Sequence, residues 1–269
     1  MASRLGARAE RLSRVRALRG VKGRREQGRF AFEGATLVDE AVAARFPIEE
    51  LYATEAAYDS VPALRDLESA GTPVFLVEPD AAAGISDVVT PSGILAVGPI
   101  RLRATTELFA GGTPLLVLAD LGDPANAGTL LRSADAFGCA GVLFGRLGVD
   151  PYHPKVVRGS MGAIFRLRIA VGGPGESKEA AAESGVRVLG LTSTGVPLAS
   201  EEWRPPLAIV VGHERQGLGA WQALCERDIA IPMTGATESL SAAVAGSIAL
   251  YEACKNAGQS ERCQESVSG

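Results

Sequence analysis

The chain has 269 residues, 46% of them hydrophobic, 22% charged and 5% aromatic, a composition that gives two compact domains and leaves no broad platform of stacking rings. Its net charge of −4 hides an asymmetry: residues 1–30 hold 10 of the 27 Lys and Arg and only 2 of the 31 Asp and Glu. A basic arm on an acidic body points to a polyanion bound by one region, because phosphate neutralisation releases counterions locally.

The N-terminus lacks the apolar core of a secretory signal, and no run of 18 apolar residues occurs, so a cytoplasmic protein is expected. A mitochondrial transit peptide is disfavoured by Glu10 and Glu26 and by the patterned sequence at Phe30–Gly34. Cys139, Cys225, Cys254 and Cys263 are widely spaced without a CxxC, which argues for reduced structural thiols and against a zinc knuckle or disulfide framework.

In chain order, residues 1–20 read as a helix with an apolar stripe of Leu5, Leu12, Val15 and Leu18 and a basic face including Arg8. The residues expected to meet the phosphates of a polyanion are Arg14, Arg16, Arg19, Lys22, Arg24, Arg25 and Arg29, with Lys22 to Arg25 in a basic turn. A strand at 29–33, a helix at 36–44, strands at 51–54 and 73–77 and an intervening helix at 61–70 complete a small α/β domain, 1–98. Residues 99–113, with Pro99, Gly111 and Gly112, break the periodicity and read as a linker. Beyond it, apolar runs at 115–119, 141–144, 167–171, 186–191, 207–211 and 229–231 alternate with helical patterns, the signature of a parallel sheet buried on both faces, over 114–257. Residues 258–269 turn polar and read as a tail.

Three segments follow strands of this second domain. In Asp120–Gly138, Pro124 favours a helix start, Asp123 can cap it and Gly138 stops it, which places Asn126 at the helix mouth and Arg132 mid-helix. In Leu207–Leu218 an apolar strand runs into a turn punctuated by Gly212 and Gly217, where backbone can approach a ligand and Glu214 can accept its hydrogen bonds. Leu218 and Gly219 stand where a phosphate loop needs Lys and Ser or Thr, and Gly217 where a zinc-protease helix needs its second His. In Ile231–Glu252 a strand end leads through a loop to a small-residue helix, with Ser239 and Ser241 at its opening. Capping by Ser239 is the simpler account of that serine. A dinucleotide enzyme is disfavoured because no GxGxxG follows the first strand of the second domain.

Together, in this order and spacing, the three blocks resemble the SpoU/TrmH branch of the SPOUT methyltransferases over roughly Leu115–Glu252. Lys155–Arg166 resembles the segment that this family carries between its first two blocks, and Gly28–Gly34 is similar to part of its substrate-binding domain. The resemblance implies an α/β fold with a deep trefoil knot, an exception to the unknotted rule. It implies S-adenosyl-L-methionine as cofactor, no metal, a homodimer with a site completed across the interface, and 2'-O-methylation of a ribose in RNA, ribosomal rather than transfer RNA. A tRNA ribose methyltransferase and a catalytically silent RNA-binding factor of the same fold are the alternatives.

Carried across by position, the family's catalytic or orienting residues fall at Asn126, Arg132, Glu214 and Ser239. Its cofactor loops fall at Leu191, Thr192 and Ser193, at Gly212, Glu214, Gly217 and Leu218, and at Ile231, Met233, Leu240 and Ser241. Ser241 departs from the family, which usually has Asn there; serine keeps one donor but loses the amide's reach. Arginine is a poor base, since the guanidinium pKa lies above about 12, so electrostatic stabilisation of the developing alkoxide suits Arg132 better than proton abstraction.

Overall fold

The computed structural model describes residues 2–6, 9–237 and 239–265, with the side chains of 256–265 excepted; Arg8, Glu238, the Cys263 thiol and residues 266–269 lie outside the described part. The chain divides into two compact units, 1–101 with 152–166, and 102–151 with 167–269.

The first unit begins with strand β1 (Ser3–Leu5), then helices α1 (Glu10–Ala17) and α2 (Val21–Gln27), strand β2 (Arg29–Glu33), helix α3 (Ala35–Ala43) and strand β3 (Glu50–Ala53). Helices α4 (Glu55–Ser60) and α5 (Pro62–Ser69), strand β4 (Val74–Val77), helix α6 (Pro79–Ile85) and strand β5 (Ile94–Pro99) follow. The sheet order is β1-β4-β3-β5-β2, parallel among β1, β4 and β3 and antiparallel from β3 through β5 to β2. The expected first helix is therefore shorter than its apolar stripe, because residues 3–5 pair with β4 as an edge strand instead. Leu12, Val15 and Leu18 still bury as one face, against Tyr52, Val77, Ile85 and Val97. The basic turn at 22–25 is helical, within α2.

After β5 come helix α7 (Thr105–Ala110), strand β6 (Leu115–Ala119), helix α8 (Pro124–Ala136), strand β7 (Gly141–Gly145) and helices α9 (Pro154–Gly159) and α10 (Ala163–Arg166). Strand β8 (Ile169–Gly172), helix α11 (Pro174–Glu183) and strands β9 (Arg187–Thr192), β10 (Val196–Pro197), β11 (Leu207–Gly212) and β12 (Arg227–Ala230) precede the long helix α12 (Ala242–Glu265). Seven strands form one wholly parallel sheet in the order β10-β12-β9-β11-β6-β7-β8. Every residue of β6 and β7 is buried, as continuous apolar runs require of a sheet covered on both faces.

Two boundaries differ from the sequence expectation. The segment 99–113 contains α7, whose Leu108 and Phe109 are buried in the core of the second unit, so it is not a plain linker. Residues 152–166, inside the second block of sequence, belong to the first unit. Aromatic packing explains this: Phe30 lies 4.5 Å from Tyr152, and Phe165 lies 4.9 Å from Phe32 and 5.0 Å from Phe46, between ring centroids. Arg158 adds an ion pair in which one guanidinium nitrogen, Nη1, donates to both Asp87 carboxylate oxygens, at 2.7 and 2.8 Å. The polar C-terminus continues α12 to Glu265.

Candidate cofactor and RNA site

The carboxyl ends of parallel strands share one edge of a sheet, and here four adjacent strands, β12, β9, β11 and β6, deliver four loops to that edge. Beyond β6, the Asp123 carboxylate accepts the Ala125 N–H at 2.8 Å and caps α8 beside Pro124 at its first turn, while Gly138, at φ +72°, follows its end. Beyond β11, His213 and Gly217 exchange two backbone hydrogen bonds of 2.9 Å, and Gly217 takes φ +62° to close the loop. A Cβ at Gly212 would stand 2.5 Å from the Gly217 carbonyl carbon and 2.8 Å from the Leu218 nitrogen. The glycine is thus demanded by the loop folding back on its own strand, rather than by a ligand's approach.

Glu214 joins the first two blocks. Its carboxylate accepts the Gly122 N–H at 3.2 Å, the Asp123 N–H at 3.2 Å and the Asn126 side-chain N–H at 3.0 Å. Burial alone would raise the Glu214 pKa; hydrogen bonds from Asn126 and from backbone amides outweigh it and hold the group below the ordinary carboxylate range. The sequence placed Glu214 as an acceptor for the ligand, but its oxygens are occupied by the mouth of α8. Its effect is to fix Asn126, whose carbonyl oxygen is left for another partner.

A cavity of about 230 Å³ opens among these loops. Of the expected cofactor contacts, Leu191, Thr192, Ser193, Gly212, Glu214, Gly217, Ile231, Met233 and Leu240 line it, joined by Ser239 from the catalytic set. Its walls are largely aliphatic, and the Thr192 hydroxyl oxygen is buried with no hydrogen-bond partner among the described residues. An orphaned buried hydroxyl beside a roomy cavity is what a polar ligand edge would satisfy.

Leu218 and Ser241 do not line the cavity. Leu218 is 5% exposed and packs with Trp221 and Leu224 in the core beneath the loop. The Ser241 hydroxyl accepts the Val244 N–H at 3.3 Å, so Ser241 and not Ser239 caps α12. A capping role asks only for an acceptor, which explains how serine serves where the family has asparagine. Sequence reading missed His213, which lines the cavity while its Nδ1 accepts the Arg215 N–H at 3.1 Å. Its place between Gly212 and Glu214 was the available signal.

Helix α12 packs its small residues inward: Ala249 and Ala253 are fully buried, and a Cβ at Gly246 would stand 2.6 Å from a Leu130 methyl and 2.9 Å from a Val211 methyl. The Ser133 and Ser247 hydroxyls meet at 2.7 Å between α8 and α12. These alanines therefore serve intrachain packing, whereas Val244, Ile248 and Tyr251, spaced for one helical face, are exposed together with Leu240. Arg132 on α8 is exposed and lies outside the cavity lining.

The basic arm is less free than its charge implies. Arg24 is 1% exposed and donates to the Leu18 and Arg19 carbonyls at 2.8 Å, satisfying groups just past the end of α1; it is a structural clamp and not a phosphate contact. Arg16 and Arg19 donate to the Gly84 carbonyl at 2.9 and 2.8 Å. Arg14 pairs with Glu10, Lys22 with Glu26, and Arg29 with Glu49 and Glu50. Arg25 is exposed and makes no ion pair among the described residues.

Loops from adjacent carboxyl ends of a parallel sheet, enclosing an aliphatic cavity with isolated polar groups, define an α/β domain built to hold a small organic ligand. Residues 114–251 match a family model described as the SpoU rRNA Methylase family, and residues 9–96 match the MRM3-like substrate binding domain. The chain belongs to the SpoU rRNA methylase family. It is 29% identical to the 23S rRNA (guanosine(2553)-2'-O)-methyltransferase RlmP of Bacillus subtilis, over 91% of this chain and 96% of that one. It is also 29% identical to the 23S rRNA (uridine(2479)-2'-O)-methyltransferase of Streptomyces viridochromogenes, over 94% and 92%. The crystal structure of the SpoU methyltransferase AviRb from Streptomyces viridochromogenes in complex with AdoMet superposes with a TM-score of 0.83 at 27% identity, covering 92% of this chain and 98% of that one.

Proposed function

We propose that this protein transfers a methyl group from S-adenosyl-L-methionine to a ribose 2'-hydroxyl of ribosomal RNA, acting in the cytoplasm. The observation that carries the reading is the meeting of the family's second and third blocks and the loop after β9 around one cavity, with Glu214 of its lining holding Asn126 of the first block at 3.0 Å. Leu191, Ile231, Met233 and Leu240 offer aliphatic surface to an adenine ring, and the unpartnered Thr192 hydroxyl suits a polar edge. When bound, the sulfonium cofactor supplies an activated methyl group with a neutral thioether as leaving group. The deep trefoil knot that the resemblance implies is part of the same reading.

The protein's contribution is orientation and charge. Asn126, its amide fixed through one N–H, and Ser239 at the cavity orient the ribose. Arg132 stabilises the alkoxide as its proton passes to solvent water. Because Arg132 stands exposed outside the lining of its own chain's cavity, and Leu240, Val244, Ile248 and Tyr251 expose an apolar face, the reading includes a homodimer in which Arg132 serves the partner's site. Mixing Arg132→Ala with Gly212→Val protein then restores part of the activity, since each heterodimer keeps one complete site; a proven heterodimer without rescue overturns the shared site alone.

The direct test incubates the full chain with methyl-tritiated cofactor and ribosomal RNA lacking the modification, followed by mapping of ribose methylation. A 2'-O-methyl nucleotide in ribosomal RNA is expected. Label in transfer RNA only moves the substrate assignment, and no label in either RNA contradicts the reading.

A further inference from the structure

Asp120 is the first residue beyond β6 and has φ +54°, a left-handed backbone that a residue with a side chain seldom adopts. Its carboxylate is committed to two segments far away in the chain. Oδ1 accepts the Leu147 N–H at 3.0 Å, and Oδ2 accepts the Trp221 indole N–H at 2.8 Å. Trp221 is 1% exposed and stands in the 3-10 turn Gly219–Leu224, directly behind the loop that carries Glu214.

The surroundings are shaped to admit this carboxylate. A Cβ at Gly145 would collide with it, and one at Gly148 would stand 2.8 Å from the Asp120 carbonyl carbon. The adjoining Leu121 carbonyl accepts the Val149 N–H at 2.8 Å, so the loop is pinned on that side as well. Two residues further on, the Gly122 and Asp123 amides are the groups that bind Glu214. Asp120 thus grips, from behind, the same short loop that Glu214 grips from the front.

We infer that Asp120 is a positioning residue for methyl transfer: through Trp221 and Leu147 it holds loop 120–126 so that the Gly122 and Asp123 amides meet Glu214 and Asn126 faces the ribose. The inference rests on the function proposed above. It deepens that proposal by adding a second carboxylate that touches neither cofactor nor RNA. Nothing in the three blocks singles it out, because its partners Leu147 and Trp221 lie outside them or behind their turns.

The test uses Asp120→Asn and Trp221→Phe in the full chain. Asparagine tolerates the left-handed backbone and keeps one acceptor, but its amide nitrogen cannot accept the second N–H. Phenylalanine keeps an aromatic ring and lacks the indole donor. Each variant is expected to lower kcat about 10-fold or more with the dissociation constant for S-adenosyl-L-methionine nearly unchanged, as misplacement of an orienting group does. The double variant falls short of the sum of the two single losses, because both variants loosen the same loop through one side chain. Hydrogen exchange at the Gly122 and Asp123 amides is expected to accelerate in both.

A purely structural strut would lower the melting temperature and leave kcat and amide exchange intact well below it; that result, or additive losses in the double variant, overturns the inference. Should the unmutated protein methylate no RNA while Asp120→Asn still speeds exchange at Gly122 and Asp123, the functional reading fails and the hold on the loop stands. Unchanged exchange with an active parent overturns the positioning role.

Discussion

The two units use charged residues in opposite ways. In the second, a carboxylate in each of two distant blocks is engaged by several donors of the same chain, Glu214 at the mouth of α8 and Asp120 on Leu147 and Trp221, beside a cavity lined mostly by aliphatic side chains and hydroxyls. In the first, a dense run of cations is laid along α1 and α2, and most are engaged by neighbouring glutamates or carbonyl oxygens at the surface. A carboxylate that gathers three convergent donors, as Glu214 does, fixes several groups at once, so its loss is costly. A surface ion pair exchanges readily with water or phosphate. The same residue types therefore give position in one unit and adaptable charge in the other.

The largest effect expected is that of Gly212→Val, whose side chain lands on the backbone of Gly217 and Leu218. Calorimetry should find cofactor binding abolished, with a lowered melting temperature. Retained affinity would mean that the loop after β11 is not a wall of the cofactor site.

Glu214→Gln comes next, because a neutral amide cannot serve three donors at once. A loss of about 2–3 kcal/mol in transition-state stabilisation, read as kcat/KM, is expected for a charged hydrogen-bonded group. The pH dependence has a fixed sign. Glu214 titrates below its unfolded value, so its contribution is complete above the ordinary glutamate range and is lost as pH falls through the lowered folded value. Acid unfolding of the Gln variant should show a shallower loss of stability in that window; an identical acid limb would mean that Glu214 is not held in the folded protein.

The layout of the second unit was legible because continuous apolar runs of strand length, separated by helical patterns, leave a parallel sheet as the economical arrangement, and Pro124, Asp123 and Gly138 mark the ends of α8. Nine of the eleven expected cofactor contacts line the cavity, since residues just after adjacent parallel strands arrive together. The side chains of Leu218 and Ser241 turn to the core and to a helix end, which a position beside a loop does not reveal. Residues 152–166 were misassigned for another reason: Tyr152 and Phe165 pack against Phe30, Phe32 and Phe46, a pairing over long sequence distance that local patterns do not encode. Arg24 was counted with the arm because charge density carries no information on burial.

The comparison within the arm gives the smaller effects. Arg24→Ala should cost about 2–3 kcal/mol of stability in denaturant unfolding, by leaving buried carbonyls unpaired. Arg25→Ala should stay within about 0.5 kcal/mol of the parent. RNA affinity should respond in the reverse sense at temperatures where both variants are folded: Arg25→Ala weakens binding and reduces the salt slope by about 1, whereas Arg24→Ala leaves the slope alone. Equal slopes for both would leave the arm's free charge without a role in binding.

The central claim, that the cavity at the ends of β12, β9 and β11 holds the cofactor, is tested most directly by calorimetric titration of the full chain with S-adenosyl-L-methionine, beside Thr192→Val. Binding by the parent at one site per chain, no binding of NAD and about 10-fold weaker cofactor binding by Thr192→Val are expected, since the buried hydroxyl has no other partner among the described residues. Equal affinity in a folded Thr192→Val protein, or preference for NAD, would contradict it.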